Sequence, residues 1–250
     1  MTDHEVAGEL AEAAGRLLLE VRAAHRGAGD RERGDAGDAR SHALLLAELG
    51  RRRPGDAVLS EEGLDDPARL TADRVWIVDP LDGTREFGEL DRADWAVHVA
   101  LWTAADGLVA GAVALPAQGV TLRTPSVTLG ERPPGPPRIV VSRTRPPALA
   151  EHVRARLGGE LVPMGSAGAK MSAVVQGAAD VYVHAGGQYE WDSAAPVAVA
   201  LAAGLHASRL DGSPLRYNRP DPLLPDLVVC RPHLAAAVLA AVAEHGSPPD

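Results

Sequence analysis

The 250-residue chain has one cysteine, Cys230, so no disulfide can close within it. Aromatic residues make up 3% and phenylalanine occurs once, which leaves Leu, Val and Ala to fill a core. Long apolar runs are missing too. The stretch 234–243 is among the longest, well short of the ~20 residues that cross a bilayer. Basic residues are outnumbered, 25 against 34 acidic, giving a formal charge of −9. Such a balance suits neither a nucleic-acid polymer nor a membrane surface as partner. It leaves room for a small phosphorylated substrate, because a bound cation inverts the local field. The opening Met1-Thr2-Asp3-His4-Glu5 is unlike a signal peptide, so the cytoplasm is the expected compartment. Internal repeats, a Walker-type loop, a paired-cysteine zinc pattern and a Ser-His-Asp elbow are all absent.

What is present centres on residues 74–84. Val75-Trp76-Ile77-Val78 reads as a buried strand. Asp79-Pro80 is expected to end it, since proline fixes its own φ and extends the residue before it. Asp82, Gly83 and Thr84 follow, which crowds two carboxylates and a hydroxyl at the mouth of a sheet. Two ionised groups ~4 Å apart repel by roughly 1–4 kcal/mol at effective dielectrics of 80 to 20. That repulsion raises a pKa or recruits a cation, and hard oxygen ligands suit Mg²⁺. A pair of plain turns, Asp-Pro then Asp-Gly, is the simpler alternative.

Along the chain, residues 3–24 carry a 3.6-residue apolar period and predict a helix. Residues 25–38 hold four glycines and mixed charges, and predict a mobile loop whose Arg31 and Arg33 either meet substrate phosphate or are simply solvated. Asp38 is expected to cap a second helix with Leu44, Leu45, Leu46 and Leu49 as its apolar side. Residues 58–63 form a short strand ending in Glu61 and Glu62, which point to opposite faces. Strands are expected at 95–102, 107–115 and 119–123, with His98 as a satisfied core histidine. Residues 125–137, with five prolines, form a stiff exposed connection between halves 1–124 and 138–250. The second half predicts a strand at 138–141, a helix at 148–157, a strand at 160–163 and a helix through Gln176. The Gly165-Ser166-Ala167-Gly168 turn before that helix offers N–H groups to an anion. A strand at 180–184, a loop at 184–191, a helix 193–203 capped by Asp192, a hairpin at 206–215, a strand at 227–230 and a helix at 233–244 close the chain. The mix of strands and helices fits α+β or layered α/β.

The wording Trp76-Ile77-Val78-Asp79-Pro80-Leu81-Asp82-Gly83-Thr84 resembles the signature of the inositol monophosphatase superfamily, the lithium-sensitive Mg²⁺-dependent phosphomonoesterases. Ser60-Glu61-Glu62 and Trp191-Asp192-Ser193-Ala194-Ala195-Pro196 resemble its other two signatures, in the right order. Leu59-Ser60-Glu61-Glu62 and residues 79–87 are most similar to the bacterial CysQ-like 3′(2′),5′-bisphosphate nucleotidases. The resemblance implies an αβαβα sandwich and two or three Mg²⁺ ions per site. Glu61, Asp79 and the Leu81 carbonyl would hold one ion; Asp79, Asp82 and Asp192 a second. Thr84, oriented by Asp38 and working with Glu61, would position the attacking water, while Gly83, Thr84 and the helix after Asp192 cradle the phosphate. Ser142, Arg145, Ser166 and Lys170 would hold the nucleotide. The sequence departs from the family at Asp35, where threonine is usual, and at Arg145, where histidine is usual.

The implied activity is removal of the 3′-phosphate from adenosine 3′,5′-bisphosphate and from 3′-phosphoadenylyl sulfate. An inositol-1-phosphate or fructose-1,6-bisphosphate phosphatase is the close rival, and a non-catalytic metal- or nucleotide-binding protein is the rival of another class. A homodimer is left open.

Overall fold

Helix α1 (Asp3–Ala24) begins where its capping residues dictate. Thr2 Oγ1 accepts from the Glu5 amide and the Glu5 carboxylate accepts from the Thr2 amide, at 3.2 and 2.7 Å. Val6, Leu10, Ala14, Leu18 and Val21 form its buried stripe, as the period predicts. In this computed structural model, which describes residues 1–246, the expected mobile loop is mostly helical: α2 spans Asp30–Arg52. Asp38 therefore lies inside the helix rather than at its cap. The glycines that suggested a loop are points of close approach. A Cβ at Gly34 would stand 2.7 Å from Thr84 Cγ2, and one at Gly37 would stand 2.8 Å from the Phe87 ring.

Strands β1 (Ala57–Ser60), β2 (Arg74–Asp82), β3 (Ala96–Thr103), β4 (Gly107–Leu115) and β5 (Val120–Arg123) form one sheet in that order. β1 runs parallel to β2 and the other pairs are antiparallel. Residues alternate between faces along β2: Trp76 and Val78 pack with α1 and α2, while Val75 and Ile77 face the opposite core.

The second sheet has the order β7-β6-β8-β10-β9. Its strands are β6 (Arg138–Ser142), β7 (Glu160–Met164), β8 (Val181–Tyr189), β9 (His206–Ser208) and β10 (Leu223–Cys230). Helices α5 (Ala167–Val175) and α6 (Glu190–Ala202) lie between the sheets, sharing a core with Val113 of the first and Val140 and Val229 of the second. Helices α4 (Ala148–Leu157) and α7 (Ala235–Gly246) cover the outer face of the second sheet. The two outer cores and the middle core, which spans both faces of α5 and α6, join five layers in the order αβαβα, the expected layered α/β architecture.

Several boundaries differ from the sequence reading. β8 runs on through Gly186 and Gly187 to Tyr189 because β10 pairs with it there, Leu224 facing Gln188 and Leu223 facing Tyr189. α6 consequently starts at Glu190, so Asp192 is its third residue and not its cap. Residues 211–215 form a turn beyond β9 rather than a second hairpin strand. In the proline-rich connection, Val127 and Leu129 tuck against the middle core, and the Gly130 amide bonds the Val175 carbonyl at 2.7 Å.

Candidate metal centre

Asp79 and Asp82 sit at an irregularity in β2. Asp79 pairs with His98 and Asp82 with Ala96, so β2 spends one residue more than β3 over this step. Pro80 occupies the irregularity, where the missing N–H costs no ladder bond. The strand therefore continues to Asp82, and the sharp turn comes at Gly83, whose φ of +89° suits glycine. Thr84 then opens the short helix α3 (Thr84–Gly88). Its hydroxyl donates toward the Leu81 carbonyl at 3.3 Å and toward Asp38 Oδ1 at 3.4 Å.

Three distant stretches converge here. Parallel pairing sets Ser60 beside Val78, and so carries Glu61 to Asp79 one step on. The two carboxyl groups stand within electrostatic reach of each other. Asp192 arrives on the first turn of α6 and accepts the Tyr189 amide at 2.6 Å. One oxygen each of Asp79, Asp82 and Asp192 lie within 4.8 Å of one another.

The electrostatics are those of carboxyl groups crowded together and buried. Burial, then Glu61, Asp82 and Asp192, push Asp79 well above the usual carboxylate range. Burial and the nearby Asp82 raise Asp192 to about 7. Burial, with Glu62 and Glu61, raises Asp38 to about 7. Asp82 goes the other way. Burial would raise it, but His98, Ser166 and the Gly168 amide outweigh that and hold it at about 2. Asp79 Oδ2 is buried without any hydrogen-bond partner among the described residues. A buried carboxylate oxygen left bare among other carboxylates is what a hard cation satisfies. The donor set therefore fits a metal ion.

The other expected site residues are placed as follows. Ser166, at φ +52°, caps α5 and donates to Asp82, whose carboxylate also accepts the Ala167 and Gly168 amides at 3.1 and 2.6 Å. The anion seated on this helix N-terminus is thus the chain's own Asp82. Lys170, the one lysine in the sequence, is buried. Its ammonium donates to the Ser166 and Gly165 carbonyls at 2.7 and 3.3 Å and lies 5.4 Å from the Tyr182 ring. It braces the turn that holds Asp82. Ser142 Oγ accepts the Arg145 amide at 3.2 Å, and the Arg145 side chain is exposed.

Arg33 does not face the site. It is buried, donating to the carbonyls of Gly88, Ala28 and His25 and to Asp30 Oδ1. Arg31 is exposed and its near contact is Asp35 at 3.9 Å.

Two participants escaped the sequence reading. His98 is a buried histidine, as expected, but it borders the acidic centre. Its Nδ1 lies 3.0 Å from the Trp191 carbonyl, and its Nε2 lies 3.3 Å from Asp82 Oδ2, off the line of a good hydrogen bond. Only the β2–β3 register, which a lone apolar strand does not disclose, sets it there. Arg143 bridges Glu86 at 2.6 Å and also pairs with Glu89, tying the segment after β6 to the segment after Thr84.

Two mixed sheets sharing a middle helical layer, with acidic side chains meeting at strand and helix ends, define a layered α/β protein whose carboxylate cluster could hold a metal. The chain belongs to the inositol monophosphatase family, whose sequence profile matches residues 3–130 and 138–247. It is 55% identical over 256 residues to a 3′-phosphoadenosine 5′-phosphate phosphatase of Mycobacterium leprae, covering 98% of this chain and 94% of that protein. It is 31% identical to the 3′(2′),5′-bisphosphate nucleotidase CysQ of Escherichia coli K12, over 73% of this chain and 78% of the other. Among solved structures it resembles CysQ from Bacteroides thetaiotaomicron, with a TM-score of 0.77 and 27% identity over 92% of this chain and 97% of that one.

Proposed function

We propose that this chain is a Mg²⁺-dependent phosphomonoesterase that removes the 3′-phosphate of adenosine 3′,5′-bisphosphate. The observation that carries the reading is the meeting of Asp79, Asp82 and Asp192 around the bare Asp79 Oδ2. The names of the relatives supply the substrate class. Glu61, Asp79, the Leu81 carbonyl, Asp82 and Asp192 would hold the Mg²⁺ ions. The chemistry such ions supply is Lewis-acid: a lower pKa for water and compensation of charge on the phosphate oxygens.

The chain's own groups do the positioning. Thr84, fixed between Asp38 and the Leu81 carbonyl, presents its hydroxyl where a water can be oriented together with Glu61. The Gly83 and Thr84 amides, and the first turn of α6 behind Asp192, offer N–H groups to the phosphate. Ser142 and the exposed Arg145 are the proposed nucleotide contacts, a guanidinium being able to pair with phosphate or stack on a base. Ser166 and Lys170 serve the substrate indirectly, by fixing Asp82.

The test is a rate comparison at equal concentrations of adenosine 3′,5′-bisphosphate, inositol 1-phosphate and fructose 1,6-bisphosphate. A preference for the nucleotide is expected, and Arg145→Ala should raise its KM several-fold with little change in kcat. Preference for inositol 1-phosphate would reject this substrate assignment. The absence of turnover with all three would favour a binding protein.

A further inference from the structure

A cavity of about 600 Å³ opens at the far end of α6 from the acidic centre. Asp192 and Leu201 are nine residues apart on this helix, about 13 Å of helical rise. Trp102, Leu108, Val197 and Leu201 give the cavity an apolar side, and Thr103, Tyr217 and Asn218 join them in a lining of mixed polarity. Its rim is a strap that also borders an adjoining cavity of about 530 Å³, and Arg216 and Arg219 line both. Neither guanidinium has a hydrogen bond or ion pair among the described residues, although Arg219 stands within electrostatic reach of Glu190. Asp106 also lines the larger cavity.

The strap is held in place rather than loose. Asn218 adopts a left-handed φ of +57°, and its neighbours fix it there. Its amide and that of Arg219 donate to Glu190 at 2.6 and 2.7 Å. The side chain of Asn218 exchanges bonds with Arg69 at 2.8 and 3.1 Å, and the Tyr217 hydroxyl lies 3.2 Å from Ser193 Oγ. Two cationic groups are thus presented on a rigid backbone, beside an apolar hollow, on a chain whose net charge is −9. Preorganisation of this kind spares a ligand the cost of ordering the loop. The volume falls within the ~300–1,000 Å³ of small-molecule sites.

We propose that this cavity is a second ligand site, separate from the acidic centre, that takes an organic phosphate: a flat apolar body in the hollow and a phosphate against Arg216 and Arg219. The experiment is isothermal titration of adenosine 5′-monophosphate into the full chain in EDTA, where the uncompensated carboxylates repel phosphate from the acidic centre. Saturable one-to-one binding is expected, weakened tenfold or more in the Arg216→Ser/Arg219→Ser variant and unchanged in Arg145→Ser, with circular dichroism confirming that both variants fold. Filling the hollow by Leu201→Trp should weaken binding to a similar extent. No binding at millimolar nucleotide would overturn the proposal, as would binding that survives the double substitution or vanishes in Arg145→Ser. Inorganic phosphate binding as tightly as the nucleotide would overturn the role of the apolar hollow.

Discussion

Asp79 shows how much chemistry one side chain can store. It is fully buried, faces three other carboxyl groups, and leaves Oδ2 unpaired. In the metal-free chain the neutral acid is therefore the favoured form. Asparagine has nearly the same shape and no charge, so Asp79→Asn should raise the metal-free melting temperature. The same change removes the oxygen charge that a divalent cation needs. Stabilisation by Mg²⁺, seen as an upward melting shift in the parent, is expected to shrink toward zero in the variant, and turnover to fall at least a thousandfold. Thermal unfolding with Mg²⁺ and with EDTA checks both halves. A variant that melts lower without metal, yet still responds fully to Mg²⁺, would contradict the proposed ligand role.

Among the elements, α2 is the instructive one. Two of its glycines touch very different surroundings. Gly34 lies against Thr84, whereas a Cβ at Gly50 would meet nothing within 4 Å. Alanine gains about 1 kcal/mol over glycine within a helix. Gly50→Ala is thus expected to stabilise the chain by up to about 1 kcal/mol with activity unchanged. Gly34→Ala should lose that gain to the clash, push Thr84 off its bond with Asp38, and lower kcat more than tenfold. Denaturant melts and single-substrate kinetics on the pair measure the contrast. The same helix shows what the sequence could and could not disclose. α1 and α4 were legible to the residue because the 3.6-residue period of α1 and the prolines just before α4 are local signals. Residues 30–38 were not, since Gly34 and Gly37 are small for a tertiary reason: α3 and β2 press against them. β8 was misjudged likewise: Gly186 and Gly187 sit at a strand irregularity, with Ala185 and Gln188 on either side paired to β10, rather than in a loop. The three acidic motifs were legible as wording, and two of them, through Asp79, Asp82 and Asp192, bring ligand oxygens together. His98, Arg143 and the use of the α5 N-terminus by Asp82 depended on register and packing, which no single stretch encodes.

For the molecule as a whole, the acidic centre joins the layers of the fold. Asp79 and Asp82 belong to the first sheet, Asp192 to the middle helices, and Asp82 is gripped by the turn that follows β7 of the second sheet. Charge at the centre therefore acts on global stability, and its sign can be worked out. Asp38 and Asp192 titrate at about 7 in the folded chain against an ordinary value of 3.8, and Glu190 at about 7 against 4.5. Between pH ~4 and ~7 the folded state holds protons that the unfolded chain has released, so stability falls as pH rises through that window. Asp82, held at about 2, acts in the opposite sense only between pH 2 and 3.8, outside the window, and His184, lowered by burial to about 4, opposes inside it as one group against three. A divalent cation reverses the balance, because it binds the ionised carboxylates and displaces those protons. In EDTA the melting temperature should decline from pH 5 to pH 7.5. The upward shift produced by Mg²⁺ should be small at pH 5 and several-fold larger at pH 7.5, with proton release on binding measurable by titration in buffers of different ionisation enthalpy. A Mg²⁺ shift that stayed constant across this range would mean that the ion binds without discharging these carboxyl groups, and the centre would then need ligands other than Asp79, Asp82 and Asp192.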